Sequence, residues 1–152
     1  MTIVGLISDT HGLLRQSAIS ALNDCNHIIH AGDIGGPDVI KELSNIAPVT
    51  VVRGNTDKTF SSYKLDDFEI LEIANRRFFI LHNLLDLNIN PEIVGIDVIV
   101  FGHTHEPEIT RNKDILYINP GSAGPKRPNK PITLGRLIIL ENEIKTEILN
   151  LE

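Results

Sequence analysis

The sequence predicts an α/β fold with a parallel core extended by antiparallel strands, arranged as two packed sheets with helices outside. Three observations predict it. Five short apolar runs each end at a residue with metal-ligand chemistry. The first three runs alternate with helical stretches, which favours a parallel sheet with right-handed crossovers. Later segments come in pairs joined by turn residues, as antiparallel hairpins do.

The first run, Ile3-Val4-Gly5-Leu6-Ile7, leads through Ser8 into Asp9, Thr10, His11 and Gly12. Apolar residues at that density read as a strand buried on both faces. If the chain stays extended past Ser8, Asp9 and His11 project to the same side. Residues 15–23 follow with helical spacing, Ala18, Ile19 and Leu22 forming one face. His27-Ile28-Ile29-His30-Ala31-Gly32 then runs into Asp33. Gly35-Gly36-Pro37 opens a second helix, in which Pro37 suits the first turn and Val39, Ile40 and Leu43 supply the apolar face. Pro48 precedes the third strand, which runs through Arg53 and Gly54 to Asn55, Thr56 and Asp57.

The pattern changes after that. Residues 68–73 alternate acidic and apolar, and Ala74-Asn75-Arg76 turns the chain into Phe78-Phe79-Ile80-Leu81, which ends at His82 and Asn83. A short helix starts at Asn90, a capping residue, with Pro91 at its first position. Asp97-Val98-Ile99-Val100-Phe101-Gly102 is the fifth run and ends at His103, Thr104 and His105. A hairpin turning at Asn112-Lys113 brings in Ile115-Leu116-Tyr117-Ile118. Residues 119–125 form a loop rich in Gly and Pro, within an irregular stretch over 119–130 that could line a site. Residues 134–151 read as a last hairpin around Glu141-Asn142.

The bulk composition excludes several classes. The 152 residues suit one domain, 1–152, with no linker, repeat or low-complexity tract. Hydrophobic content of 41% and charged content of 22% are those of an ordered globular chain. The net charge of −6 gives no electrostatic case for nucleic-acid or anionic-membrane binding. The basic pairs Arg76-Arg77 and Lys126-Arg127 are each only two residues long. Cys25 is the one cysteine, so no internal disulfide can form, and it reads as a small buried apolar residue. The chain starts directly in a strand and carries no membrane-length apolar run, so a cytoplasmic location is expected. A homo-oligomer is compatible with the sequence.

The strand ends together offer Asp9, His11, Asp33, Asn55, His82, His103 and His105. In α/β sheets, sites gather outside the carboxyl ends of strands. In three of the five runs a glycine (Gly32, Gly54, Gly102) comes immediately before the first such residue. Glycine lets other groups approach closely. Two carboxylates, four imidazoles and one amide exceed the needs of one transition ion and suit two ions sharing a bridging carboxylate. Mixed imidazole and carboxylate donors favour Mn, Fe, Zn or Co over Ca. Two ions roughly 3.5–4 Å apart can hold a hydroxide that attacks phosphorus in line. If His103-Thr104-His105 is extended, its two imidazoles lie on one side and each serves one ion.

Asp9-x-His11, Gly32-Asp33, Gly54-Asn55-x-Asp57, His82 and Gly102-His103-x-His105 resemble, in order, the signature of the calcineurin-like metallophosphoesterases. The small bacterial and archaeal YfcE-like branch is the nearest match, and Asn119-Pro120-Gly121-Ser122 resembles its tail. The resemblance covers essentially the whole chain. It implies a four-layer α/β sandwich of two packed mixed β-sheets flanked by helices, the metallophosphatase-like fold. It implies a metal-dependent phosphoesterase, most simply a phosphodiesterase, in which a hydroxide bridging two divalent ions attacks a small phosphate ester. Manganese is the first expectation for those ions, with nickel, iron, zinc and cobalt as alternatives. By position, one metal falls to Asp9, His11, Asp33 and His105, and the other to Asp33, Asn55, His82 and His103. Asp33 bridges, Asn55 also touches the substrate phosphate, and Asp33, Asn55 and His103 are the residues assigned to catalysis. The same fold also serves as a protein-interaction scaffold in the retromer subunit of the Vps type, which is the competing expectation.

Two positions depart from the family pattern. Many members carry His after the Asn of the Gly-Asn motif, where it helps the leaving group depart; here Thr56 stands there. Relatives follow the ligand matched by His82 with Gly and a second His, whereas here Asn83 and Leu84 follow. Several nearby polar residues have plainer readings. His30 reads as buried structure or a support for the ligands, and His27 as a strand-start surface residue. Asp57 either holds its loop through a turn hydrogen bond or orients a ligand. Arg53 is placed to pair with a carboxylate near the site, and Lys126 and Arg127 read as a solvated loop.

Overall fold

The computed structural model describes residues 1–58 and 64–152. Its first half places strand β1 (Thr2–Ile7), helix α1 (Gln16–Leu22), β2 (His27–His30), helix α2 (Pro37–Ser44) and β3 (Val49–Val51). Then follow β4 (Phe68–Ile73), β5 (Arg76–Leu81), a 3-10 turn (Leu84–Asp86), helix α3 (Pro91–Val94) and β6 (Val98–Val100). The chain ends with β7 (Glu108–Asn112), β8 (Ile115–Asn119), β9 (Thr133–Ile139) and β10 (Ile144–Asn150).

The strands form two five-stranded sheets, ordered β10-β9-β1-β2-β3 and β4-β5-β6-β8-β7. Each has three parallel strands at its centre or side and is completed by antiparallel ones. In the first, β1, β2 and β3 run parallel while β9 and β10 run against them. In the second, β5, β6 and β8 run parallel and β4 and β7 are antiparallel edges. Both sheets are thus mixed, as the alternating first half and hairpin-rich second half of the sequence predict.

Period-two alternation decides which side chains meet between the sheets. Val4, Leu6 and Ile29 from one sheet pack against Phe78, Ile80, Val98, Val100, Leu116 and Ile118 from the other. On the outer side of the first sheet, Ile7 and Ile28 pack against Ala18 and Leu22 of α1 and Val39, Ile40 and Leu43 of α2. On the outer side of the second, Phe79, Leu81 and Ile99 are covered by Leu84, Leu87, Ile89 and Val94. The layers are therefore helix, sheet, sheet, helix, the last one thin.

Local chemistry sets the element ends. Pro37 occupies the start of α2, and the Asn90 side chain accepts hydrogen bonds from the Glu92 and Ile93 N–H groups at the start of α3. The β4–β5 hairpin turns on Ala74 and Asn75, both left-handed at φ 49° and 64°, the conformation a two-residue turn needs to match strand twist. The β7–β8 turn falls on Lys113 and Asp114, φ 52° and 64°, one residue later than the sequence suggests. Cys25 is buried as expected, and burial pushes its thiol up to about 11. No helix among the described residues is long and apolar enough to cross a membrane.

Candidate metal centre

The carboxyl ends of β1, β2, β3, β5 and β6 meet at one edge where the two sheets join. Hydrogen bonding between the loops continues past the strand ends. The Asp9 and His11 N–H groups donate to the Gly32 and Asp33 carbonyls (3.0 and 2.9 Å), tying the loop after β1 to the loop after β2. Gly102 N–H donates to the His82 carbonyl (2.9 Å), joining the ends of β6 and β5. Two bonds then cross between the sheets. His82 Nδ1–H donates to the Ala31 carbonyl (2.7 Å), and His103 N–H donates to Asp9 Oδ2 (3.1 Å).

All seven sequence-predicted residues come to this edge, in an inner set and an outer pair. Asp9, Asp33, His82 and His105 are buried, and His11 is partly so. Asp9 Oδ1 faces three imidazoles, at 3.3 Å from His105 Nε2, 3.8 Å from His82 Nε2 and 4.0 Å from His11 Nε2. Asp33 Oδ2 stands 3.3 Å from His82 Nε2 and 3.7 Å from His11 Nε2. Two donor groups result, Asp9-His11-His105 and Asp9-Asp33-His82, each with its atoms within 4.8 Å of one another. The outer pair is exposed. His103 Nδ1 lies 3.2 Å from Asn55 Oδ1, and the His103 ring stands edge-on to that of His82 with centroids 5.1 Å apart.

The inner set has the chemistry of a cation site. Asp9 Oδ1, His11 Nε2 and His82 Nε2 are buried and find no hydrogen-bond partner among the described residues. Buried polar atoms are ordinarily satisfied, and a cluster of orphans that are all lone-pair donors is what a metal ion would satisfy. His82 is already set for that role. Its Nδ1–H is committed to a backbone carbonyl, which aims Nε2 at the two carboxylates. Oxygen and imidazole donors in this mixture suit divalent first-row transition ions.

Each carboxylate is held by groups that favour its charge. Asp9 Oδ2 accepts from Ser8 Oγ (2.6 Å) as well as from His103 N–H. Asp33 Oδ1 accepts from Thr56 N–H (2.9 Å). Burial opposes ionisation of Asp33, but the adjacent His82 imidazole and the Thr56 N–H outweigh it and hold the carboxyl well below the usual range. Burial would lower His82, yet the adjacent Asp33 and Asp9 carboxylates win and raise it. His105 is lowered, chiefly by burial.

The structure corrects one expectation about how the pairs are aimed. Neither Asp9-x-His11 nor His103-x-His105 is extended. Asp9, His11, Asp33, His103 and His105 are all left-handed, with φ of 56°, 46°, 57°, 75° and 64°. Tight left-handed turns curl the side chains back over the strand ends, at a conformational cost that packed surroundings must hold. The two histidines of the last motif consequently part, His105 going to Asp9 and His103 to Asn55 and His82. The motif glycines explain themselves by contact. A Cβ on Gly54 would lie 2.1 Å from Asp33 Oδ1, and one on Gly102 would lie 2.1 Å from Ser8 Oγ and 2.8 Å from Asp9 Oδ2.

Supporting residues lie beneath this set, of which the sequence reading anticipates His30 and Asp57 and misses Thr10. Thr10 and His30, both fully buried, form a short relay beneath the site. Gly32 N–H donates to His30 Nδ1 (3.1 Å), so Nε2 carries the proton and donates to Thr10 Oγ1 (2.9 Å), which donates to the Ile34 carbonyl (2.8 Å). Burial, reinforced by the neighbouring His82, pushes His30 down to about 3. Asp57 takes the loop-holding role: it accepts from the Ile34, Gly35 and Gly54 N–H groups. Asn119 donates to the Gly102 carbonyl and to Thr104 Oγ1, both at 3.0 Å, and Ser122 donates to the Asp9 carbonyl (3.1 Å). Residues 119–124 are thus buried props under the centre rather than its lining. Only their run of turn residues directly after a strand hinted at this. Asn83 caps the 3-10 turn by accepting from Leu85 N–H (3.1 Å). Lys126 is tied to the Lys130 carbonyl and to Glu152.

A cleft of about 810 Å³ opens beside the cluster, lined by Asn55 and His82 together with Phe68, Phe79 and Asn88. Arg53 lines it and is paired with Asp67, as the sequence allows; Nε and Nη2 donate to the same Oδ1 at 2.9 and 2.7 Å.

Comparison with known proteins agrees with this geometry. The sequence model of the Calcineurin-like phosphoesterase superfamily domain matches residues 1–142. The chain is 34% identical to a probable metallophosphoesterase of Methanothermobacter thermautotrophicus, over 85% of this chain and 81% of that one. It is 36% identical to a phosphodiesterase of Methanocaldococcus jannaschii, over 78% and 82% respectively. Among solved structures, an archaeal phosphodiesterase superposes with a TM-score of 0.75 at 29% identity, covering 97% of this chain and all of that one (100%). Vps29 of Entamoeba histolytica, in a zinc complex, superposes with a TM-score of 0.74 at 21% identity, over 99% and 100%. At that identity the last likeness speaks for the fold alone.

Two outcomes test the way this centre is held. Gly102→Ala pushes a methyl against Ser8 and Asp9. It is expected to cost about 1–3 kcal/mol of stability and to weaken divalent-ion binding, read by calorimetric titration of chelator-stripped protein; unaltered affinity would show that Asp9 does not meet the ion. His30 bears on pH. Its imidazole takes a proton below about pH 6.5 when unfolded but resists it to about 3 when folded. The unfolded state therefore binds more protons in that window, and stability falls as pH drops, by up to about 1.4 kcal/mol per pH unit. His30→Gln is expected to flatten the fall in urea-unfolding free energy between about pH 6.5 and 4.5; parallel curves for the two proteins would contradict the buried neutral assignment.

Proposed function

The chain belongs to the calcineurin-like phosphoesterase superfamily and is a metallophosphoesterase, and from that premise we propose that it hydrolyses small phosphodiesters at a centre for two divalent cations. The observation that carries the proposal is the cluster of orphaned, buried metal-binding atoms on Asp9, His11 and His82, with His105 Nε2 facing the same Asp9 oxygen. Asp9, His11, Asp33 and His105 would hold one ion, and Asp33, Asn55, His82 and His103 the other. The position of Asp33 Oδ2 between the imidazoles of His11 and His82 supports a bridging role. Manganese is the first choice of metal, with nickel, iron, zinc and cobalt behind it. Bound there, such ions supply Lewis acidity toward the phosphoryl group and an activated water for attack on phosphorus.

The chain's own groups supply position and charge. Thr56 N–H fixes Asp33 and keeps it ionised. Ser8 Oγ and His103 N–H fix Asp9 through its Oδ2. Asn55 and His103, exposed at the rim and in contact with each other, are the groups placed to meet phosphoryl oxygens entering from solvent. The leaving group receives no proton from position 56. A threonine hydroxyl does not act as a general acid near neutral pH, so esters with good leaving groups should react best. A cytoplasmic enzyme working as one domain over residues 1–152 fits the sequence composition.

A non-catalytic interaction scaffold on the same fold draws support from the likeness to Vps29. The filled set of seven donor positions favours the enzyme.

The deciding experiment is hydrolysis of bis-p-nitrophenyl phosphate by chelator-stripped protein with and without Mn²⁺. Metal-dependent turnover is expected, and Asp33→Asn should abolish both turnover and ion binding; an Asp33→Asn protein as active as the parent would sink the proposal. Thr56→His tests the missing acid. It is expected to raise kcat on alkyl phosphate esters by about 10²-fold and to change aryl ester rates little. An equal effect on both classes would place the proton donor elsewhere.

A further inference from the structure

Resting on the phosphodiesterase reading, we propose that the cleft beside the metal centre is a subsite for a planar aromatic group carried by the phosphate ester, seated against Phe68. The cleft is continuous with the centre, since His82 and Asn55 line it together with Phe68, Phe79 and Leu81. Phe68 is opposite Leu81 in the β4–β5 register, and Leu81 immediately precedes His82. The aromatic ring therefore stands at the end of the strand pair that delivers a metal-centre histidine.

Phe68 is out of place as a packing residue. The described phenylalanines Phe78, Phe79 and Phe101 are 0%, 2% and 3% exposed, whereas Phe68 is 54% exposed. One ring face is used: Phe68 lies flat on Phe79, centroids 5.3 Å apart and planes 5° from parallel. A ring presented flat, with a second ring behind it, is a stacking platform for another π-system.

The platform is fixed relative to the reacting end of the site. Arg53 N–H donates to the Asp66 carbonyl (2.8 Å), and the Arg53 guanidinium grips Asp67 (2.7 Å). Arg53 leads directly into Gly54-Asn55 and Asp67 directly into Phe68. One residue thus ties the loop bearing Asn55 to the start of β4. The charges lining the cleft select against a second phosphate. Arg53 and Lys58 face Asp57, Asp67 and Asp86, so cations do not exceed carboxylates there. A neutral ring beside a single phosphoryl group fits; a polyphosphate does not. Asn88 on the same wall offers an amide to ring heteroatoms.

The test compares ligands that differ only in the ring. Methylphosphonate, phenylphosphonate and thymidine 5′-methylphosphonate are measured as competitive inhibitors of the Mn²⁺-loaded protein hydrolysing methyl p-nitrophenyl phosphate. Phenylphosphonate is expected to bind about tenfold tighter than methylphosphonate, and Phe68→Ala, a change at an exposed position, should bring that ratio close to one. Methylphosphonate itself should bind the variant as it binds the parent. A further gain for the thymidine ester, also lost in the variant, assigns the ring to a nucleobase; equal binding of the two aromatic ligands assigns it to aryl esters at large. Equal binding of methyl- and phenylphosphonate by the parent, or a ratio that survives Phe68→Ala, overturns the subsite. Calorimetric titration with the same phosphonates reads the ratio without turnover. A protein that keeps the ratio but hydrolyses nothing loses the enzymatic reading alone, and one that hydrolyses without the ratio loses the subsite alone.

Discussion

Two carboxylates buried within reach of each other set the terms for everything around them. Asp9 and Asp33 are 0% and 3% exposed, and like charges out of water are tolerated only when other groups compensate them. The chain compensates in two ways. One oxygen of each carboxylate is spent on fixed donors, Ser8 and His103 N–H for Asp9, Thr56 N–H for Asp33. The other is left to the imidazoles and to the cations the family name implies. Those fixed donors come from three different loops, so holding both carboxylates requires the loops after β1, β3 and β6 to be in place. The two packed sheets, with their parallel strands ending at one edge, are the scaffold that brings those loops together.

The same demand explains why the backbone is bent as it is. An extended chain would send Asp9 and His11 out along the strand direction, away from the partner sheet. Left-handed turns at five of the seven candidate residues fold the donors inward instead. Turns this tight bring backbone against side chain. Gly54 and Gly102 therefore have no room for a Cβ where they pass Asp33 and Asp9. Asp57 and Asn119 finish the work from behind, each bonding to backbone of a loop that carries a donor. Strain at the site is thus held by ordinary hydrogen bonds to its neighbours.

This account also separates what the sequence could disclose from what it could not. Strand ends, helix faces and the Asn90 cap were legible because each depends on residues within a few positions of one another. The seven donors were legible because each follows an apolar run, and the preceding glycines gave a further sign. The direction of each donor was not legible, because left-handed φ at Asp or His has no compositional mark comparable to glycine. His30 was legible as buried structure or support, but Thr10 was silent. Their relay joins positions twenty residues apart in sequence, and Thr10 alone reads as ordinary loop. The props at 119–124 failed for a related reason. A run of Gly, Pro and Ser reports that the chain turns, not whether it turns in solvent or beneath a buried aspartate.

The division between buried and exposed donors bears on how the site can work. Asp9, Asp33, His82 and His105 are enclosed, and backbone groups bond to the first three. Asn55 and His103 are exposed and hold mainly each other. Rigid inner donors preserve the spacing that charge stabilisation needs, since preorganised groups need not rearrange as the reaction proceeds. Exposed outer donors are suited to exchange a mutual hydrogen bond for one to an arriving oxygen, at little net loss. Substrate recognition therefore belongs to the outer pair and the walls beyond it, where Arg53 couples the Asn55 loop to β4. A phosphoesterase with a fixed centre can change its substrates by changing those walls, because none of the bonds that hold Asp9 and Asp33 passes through them.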